Sequence, residues 1–160
     1  MNKKRILFVC SAGGHFSELL ELEDLILNND SIIITEQNIA YNDLNSKYNL
    51  KYVLPAGKGR DFTYWKNFVI NIFISIKILI KFKPEFIIST GSHTAIPYFI
   101  FGTLIKCKRI FILSYALINT RSKSANLIYK FSDLFIVQWE SAQKNYPKSK
   151  YLGGALFWKF

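Results

Sequence analysis

The chain has two histidines, His15 and His93, and each stands in a short turn of glycine and hydroxyl residues: Ser11-Ala-Gly-Gly-His15 and Ser89-Thr-Gly-Ser-His-Thr94. Each turn follows an apolar run of strand length and opens a helix-length segment. Such a turn leaves backbone N–H groups and the positive end of a helix dipole at the carboxyl edge of a sheet, where they attract phosphate. At Gly13 and Gly14 no side chain keeps a diphosphate off the backbone, and Ser11 and Ser17 add hydroxyl donors. Gly91, Ser92, His93 and Thr94 repeat the arrangement, with Pro97 near the start of the next helix. An imidazole in either turn can act as general base for a sugar hydroxyl or hydrogen-bond a phosphate. The plainer readings stay open beside these: a histidine that merely caps a helix, and glycines that merely turn the chain. Two separated histidines do not make a metal site, and neither a metal nor a cofactor is expected. The dinucleotide fingerprint G-x-G-x-x-G is absent, and Glu36 is a weak stand-in for its ribose-binding carboxylate.

The elements that must carry these turns are legible as an alternation. Strand-length apolar runs at 5–10, 31–35, 51–54, 85–89, 109–114 and 134–138 are separated by helix-length segments, the pattern of a mostly parallel sheet with helices on both faces. Several runs are continuously apolar, as strands covered on both faces must be. Phe16, Leu19, Leu20 and Ile26 recur at helical spacing, so a first crossover helix is expected directly after the Gly-Gly turn. TAIPYFIFGTLIK, SANLIYKF and SAQKNY supply further helical segments. The fold expected is α/β, a Rossmann-like single domain over residues 1–160. Two such turns at the carboxyl ends of parallel strands would face one crevice, where open α/β sheets bind ligands.

Charge and composition narrow the partners. With 21 basic against 11 acidic residues the formal net charge is +10, which favours polyanions such as phosphorylated ligands, anionic lipid or nucleic acid. An AT-rich genome would also raise lysine. No nucleic-acid recognition motif accompanies the charge, so nucleic acid is not an expected partner. The loop PAGKGRDFTYW places Lys58 and Arg60 among glycines, either to clasp a diphosphate or as an ordinary solvated loop. After it, the stretch from Trp65 to Pro84 is the most apolar in the chain, but Lys77 interrupts it below the length needed to span a bilayer. Three readings remain for it: a helix whose lysine-rimmed margins touch anionic headgroups, a helix buried all round, or a helix that meets a membrane-bound partner. Cys10 and Cys107 lie in apolar runs without metal or redox spacing and read as buried free thiols. The N-terminal apolar stretch is too short for a signal peptide and lacks a cleavage pattern, so a cytoplasmic protein is expected.

ILFVCSAGGHFSELL at the start, ISTGSH in the middle and SDLFIVQWESAQKNYPKSKYLGGALF at the end together resemble the family that joins the bacterial exopolysaccharide proteins PssD and CpsF to the membrane-recruiting subunit of chitobiosyl-diphosphodolichol synthase. That family is similar to the N-terminal half of MurG-like GT-B glycosyltransferases. The resemblance implies an acceptor-side lobe, with Gly13, Gly14 and His15 on the lipid-linked acceptor and Gly91, Ser92 and His93 lining the same cleft. It also implies a separate catalytic subunit carrying the nucleotide-sugar site, a polyprenyl-diphosphate-linked sugar as acceptor, and a place at the inner face of the membrane. Relatives often carry a glutamate just before the serine of ILSYALINTRS and an arginine a few residues later; Leu113 and Leu117 stand there here, leaving Arg121 as a substitute. Two other readings compete: a scaffold that only recruits and stabilises its partner, and a freestanding small nucleotide-binding enzyme.

Overall fold

Seven strands form one sheet in the computed structural model, which describes residues 2–55 and 62–154. They are β1 (Arg5–Cys10), β2 (Asp30–Glu36), β3 (Leu50–Val53), β4 (Phe86–Gly91), β5 (Lys108–Ile112), β6 (Leu134–Val137) and β7 (Lys150–Tyr151). All neighbours run parallel, in the order β3-β2-β1-β4-β5-β6-β7. The order reverses between β1 and β4, and this is the switch point at which the loops after two strands part and leave a crevice. The two glycine turns are the segments that leave β1 and β4.

Side chains alternate across the sheet, and both faces are covered. Ile6, Phe8 and Cys10 of β1 point to a layer formed by α1 (Gly14–Leu20), α2 (Glu23–Leu27) and a 3₁₀ segment (Ile39–Ser46), where Phe16, Leu19, Ile26 and Tyr41 pack on them. Leu7 and Val9 point to the other layer, α3 (Phe62–Phe82), α4 (Ile96–Gly102) and α5 (Lys123–Tyr129), through Leu79, Tyr98, Phe99 and Ile128. Coverage on both sides explains why these strands read as continuous apolar runs. Pro97 sits in the first turn of α4, where its missing N–H costs no hydrogen bond. Burial pushes the Cys10 thiol up to about 12 and raises that of Cys107, so both are inert core residues.

Several elements differ from expectation. β4 runs on to Gly91, so the Ser-Thr-Gly of the second turn belongs to the strand. The first crossover is two helices rather than one. The Leu22 N–H bonds to Leu19 three residues back, and the helical ladder restarts at Glu23. SAQKNY forms a 3₁₀ turn (Glu140–Lys144), and β7 was not anticipated, its two exposed residues being too short a pattern to read. Along α3 only Ser75 and Leu79 are buried, while Phe62, Trp65, Phe73 and Ile80 are 85%, 55%, 69% and 61% exposed. The reading of a helix buried all round is therefore overturned: polar Ser75 marks one seated face, and the opposite apolar face lies open. No described helix is long and apolar enough to cross a membrane.

Candidate functional site

At the switch point the two turns interlock. The Ser11 N–H donates to the Gly91 carbonyl at 2.9 Å, and the Ser11 hydroxyl reaches the Ser92 hydroxyl at 3.4 Å. The Thr90 hydroxyl donates to the His15 carbonyl at 2.7 Å, so the end of β4 holds the first residues of α1. The His15 imidazole lies against Gly91. A Cβ there would stand 2.7 Å from the ring's Cε1, and Gly91 has φ +123°, a conformation side chains avoid. Glycine is thus required at this position twice over.

One turn along α1, the carboxylate of Glu18 faces the same ring, with Oε2 3.5 Å from His15 Nδ1. Glu18 is buried, and its Oε1 accepts from the Ser114 hydroxyl at 2.7 Å and the Tyr115 N–H at 3.0 Å. A cavity of about 230 Å³ opens beside this group, lined by His15, Thr90, Gly91, Ser92, Leu113, Ser114, Leu117, Ser122 and Ser124 among others. It brings an imidazole and several hydroxyls together over an apolar floor that includes Phe111 and Ala125. That combination suits a ligand with many hydroxyl groups. Leu113 and Leu117 form part of its wall, and Arg121 is engaged outward by Asn145 at 3.2 Å. A larger cavity of about 430 Å³, lined by Arg5, Lys83, Glu85 and Lys106, lies at the opposite edge of the sheet, away from both turns.

The second histidine has its own carboxylate. His93 Nε2 is 3.2 Å from Glu36 Oε1, which also accepts from the Thr94 hydroxyl at 3.0 Å, and His93 Nδ1 pairs with the Ser92 hydroxyl at 3.1 Å. His93 and Thr94 therefore turn toward the end of β2, and the Tyr64 ring of α3 lies 6.2 Å away between centroids. Neither lines the cavity that holds His15. Glu36 is engaged by these two side chains rather than standing open as a ribose acceptor would.

Of the first turn's amides, that of Gly13 is already taken, donating to the Tyr41 hydroxyl at 2.7 Å while Tyr41 stacks on Phe16. A Cβ on Gly14 would meet nothing within 4 Å, so the backbone there is open to a ligand. Ser17 is exposed on α1, whereas Ser11 is buried in the contact between turns. Lys58 and Arg60 lie outside the described residues. Among the described residues no cluster of three histidine, cysteine or carboxylate side chains suits a metal ion. Glu18 was the residue sequence reasoning passed over. Its signal was the i, i+3 spacing from His15, which sets both on one helix face.

Residues 62–155, more than half of the chain, match the family described as oligosaccharide biosynthesis protein Alg14 like. The chain belongs to the Alg14-like family. Human UDP-N-acetylglucosamine transferase subunit ALG14 is 26% identical over 175 residues, covering 92% of this Alg14-like chain and 81% of the human protein. The UDP-N-acetylglucosamine–N-acetylmuramyl-(pentapeptide) pyrophosphoryl-undecaprenol N-acetylglucosamine transferase of Borrelia garinii subsp. bavariensis is 31% identical over 122 residues, spanning 68% of this chain and 34% of that one. The crystal structure of Acinetobacter baumannii MurG superposes with a TM-score of 0.68 at 9% identity, over 86% of this chain and 42% of that one. The Alg14-like chain thus has the fold of the Rossmann-like N-terminal lobe of a MurG-type GT-B protein.

Proposed function

We propose that this Alg14-like chain is the acceptor-binding and membrane-recruiting subunit of a two-component glycosyltransferase, a single acceptor-side domain over residues 1–160. Its partner would be a catalytic subunit equivalent to the C-terminal half of a GT-B enzyme, paired with it as a heterodimer. The reaction is transfer of a sugar from a nucleotide-sugar donor to a hydroxyl of a sugar on polyprenyl diphosphate, in capsular or exopolysaccharide assembly of the PssD/CpsF kind. The observation that carries this is the match along 92% of the chain to a protein named as a transferase subunit. The pyrophosphoryl-undecaprenol in the name of the Borrelia relative supports the class of acceptor.

The geometry fits that role. His15 lines the cavity as the group that orients or deprotonates the acceptor hydroxyl. The open backbone at Gly14 and the exposed Ser17 hydroxyl, with Gly91 and Ser92 across the switch point, offer the diphosphate its contacts, while Ser11 and Gly13, whose N–H groups are already bonded, hold the turn in shape. His93 and Thr94, held by Glu36, flank those contacts from the β2 side. The exposed apolar face of α3, rimmed by Lys66, Lys77 and Lys81, suits the anionic inner face of the cell membrane.

The test is His15→Ala in the reconstituted pair. Lost transfer with partner binding intact is the expected result. Full transfer by the variant would leave only a scaffold that stabilises and localises the catalytic subunit.

A further inference from the structure

We infer that Glu18 is the positioning residue of this site, holding His15 in the tautomer that turns a basic nitrogen toward the acceptor; this rests on the reading of His15 as the base. An unsupported imidazole exchanges its proton between two nitrogens, and only the form with its lone pair toward the hydroxyl can accept a proton. His15 Nδ1 and Glu18 Oε2 are both buried, and neither has a hydrogen-bond partner, yet they face each other at 3.5 Å. A proton on Nδ1 satisfies both atoms at once, since it donates to Oε2. That leaves the lone pair on Nε2 of a ring that lines the cavity. The distance is slightly long for a hydrogen bond, as catalytic pairs often are before substrate tightens them.

Glu18 is itself fixed. Its Oε1 is held by Ser114 and the Tyr115 N–H at the end of β5, so Oε2 cannot rotate away without breaking two bonds. The ring is fixed from below by Gly91, and its backbone by Thr90. Leu113, just before Ser114, is buried and apolar, and the carboxylate on this serine comes from α1. In the reaction the acceptor oxygen bonds to the donor's anomeric carbon while its proton passes to His15 Nε2. The bond from that carbon to the nucleotide diphosphate breaks, and the diphosphate leaves with the electron pair. The imidazolium formed is stabilised by the Glu18 carboxylate until it releases its proton.

A purely structural Glu18 would tie α1 to the turn after β5 and do no more. Glu18→Gln separates the two roles. The amide oxygen can keep both bonds to Ser114 and Tyr115, while the amide nitrogen faces Nδ1 and favours the opposite tautomer. The expected result, in the reconstituted pair with undecaprenyl-diphosphate-linked N-acetylglucosamine and UDP-sugars, is a kcat lower by about 100-fold with KM and melting temperature nearly unchanged. Nitrogen-15 NMR of the labelled chain gives the second readout: the His15 proton on Nδ1 in the parent and on Nε2 in the variant, with His93→Gln assigning the signals. Parent kinetics in Glu18→Gln, or a parent His15 protonated on Nε2, overturns the inference. If His15→Ala itself transfers at full rate, the reading of His15 fails; if His15→Ala is dead while Glu18→Gln is unimpaired, only the role of Glu18 fails.

Discussion

Gly91 shows how much a single residue carries at this switch point. Alanine there would be forced to φ +123° and would drive its methyl group into the His15 ring. The backbone strain alone costs on the order of 1–3 kcal/mol. Gly91→Ala should therefore lower the melting temperature by several degrees and reduce transfer by more than its loss of folded protein explains, as calorimetry and activity per folded molecule would show. A variant as stable and active as the parent would mean the two turns are not interlocked as described. At this scale the sequence was informative where residue types are rare: two histidines and paired glycines announced themselves. Glu18 did not, because it is one of several acidic residues in SELLELED and nothing local sets it apart. The partner that makes it special, Ser114, is 96 residues away along the chain.

Elements are held in register partly by local clamps, and the Arg109–Asp133 pair is the clearest. The guanidinium bonds both carboxylate oxygens, from Nε at 2.9 Å and Nη2 at 3.0 Å, and the Arg109 N–H adds a third bond at 2.8 Å, tying the start of β5 to the start of β6. These bonds, that from the Arg109 side chain foremost, hold the Asp133 carboxyl below its ordinary 3.8. The folded value lies below the unfolded one, so the pair's stabilisation is complete above 3.8 and is lost as pH falls through the depressed value. Asp133→Asn should cost about 1 kcal/mol at neutral pH, allowing for partial exposure, and should flatten the acid limb of the denaturation profile. α3 makes a different prediction. Phe73 is exposed, so Phe73→Asp should change stability by less than about 0.5 kcal/mol yet reduce flotation with phosphatidylglycerol vesicles. Undiminished flotation would remove this face from the membrane contact. The sequence showed that this segment is helical but not which side is open, since a helix apolar nearly all round has no polar stripe to mark solvent.

At the scale of the whole molecule, the alternation of strand and helix made the class of fold legible. Strands buried on both faces leave an apolar signature that survives without knowledge of their order. The order itself, and with it the switch point between β1 and β4, depends on long-range pairing that no local pattern encodes. The same is true of the division of labour between the histidines. Both turns reach one edge of the sheet, but His15 faces the cavity at the end of β5 while His93 is drawn to Glu36 at the end of β2. A net charge of +10 gains meaning only once α3 is seen to carry lysines around an open apolar face. In the proposed role this lobe completes an enzyme with a separate donor-side subunit. The most direct test measures glycosyl transfer to a polyprenyl-diphosphate-linked sugar by this chain alone, by the candidate partner alone, and by the two mixed. Activity is expected to appear, or to rise at least tenfold, only in the mixture; a folded partner whose activity on a proven acceptor is unchanged by this chain would rule out a split enzyme.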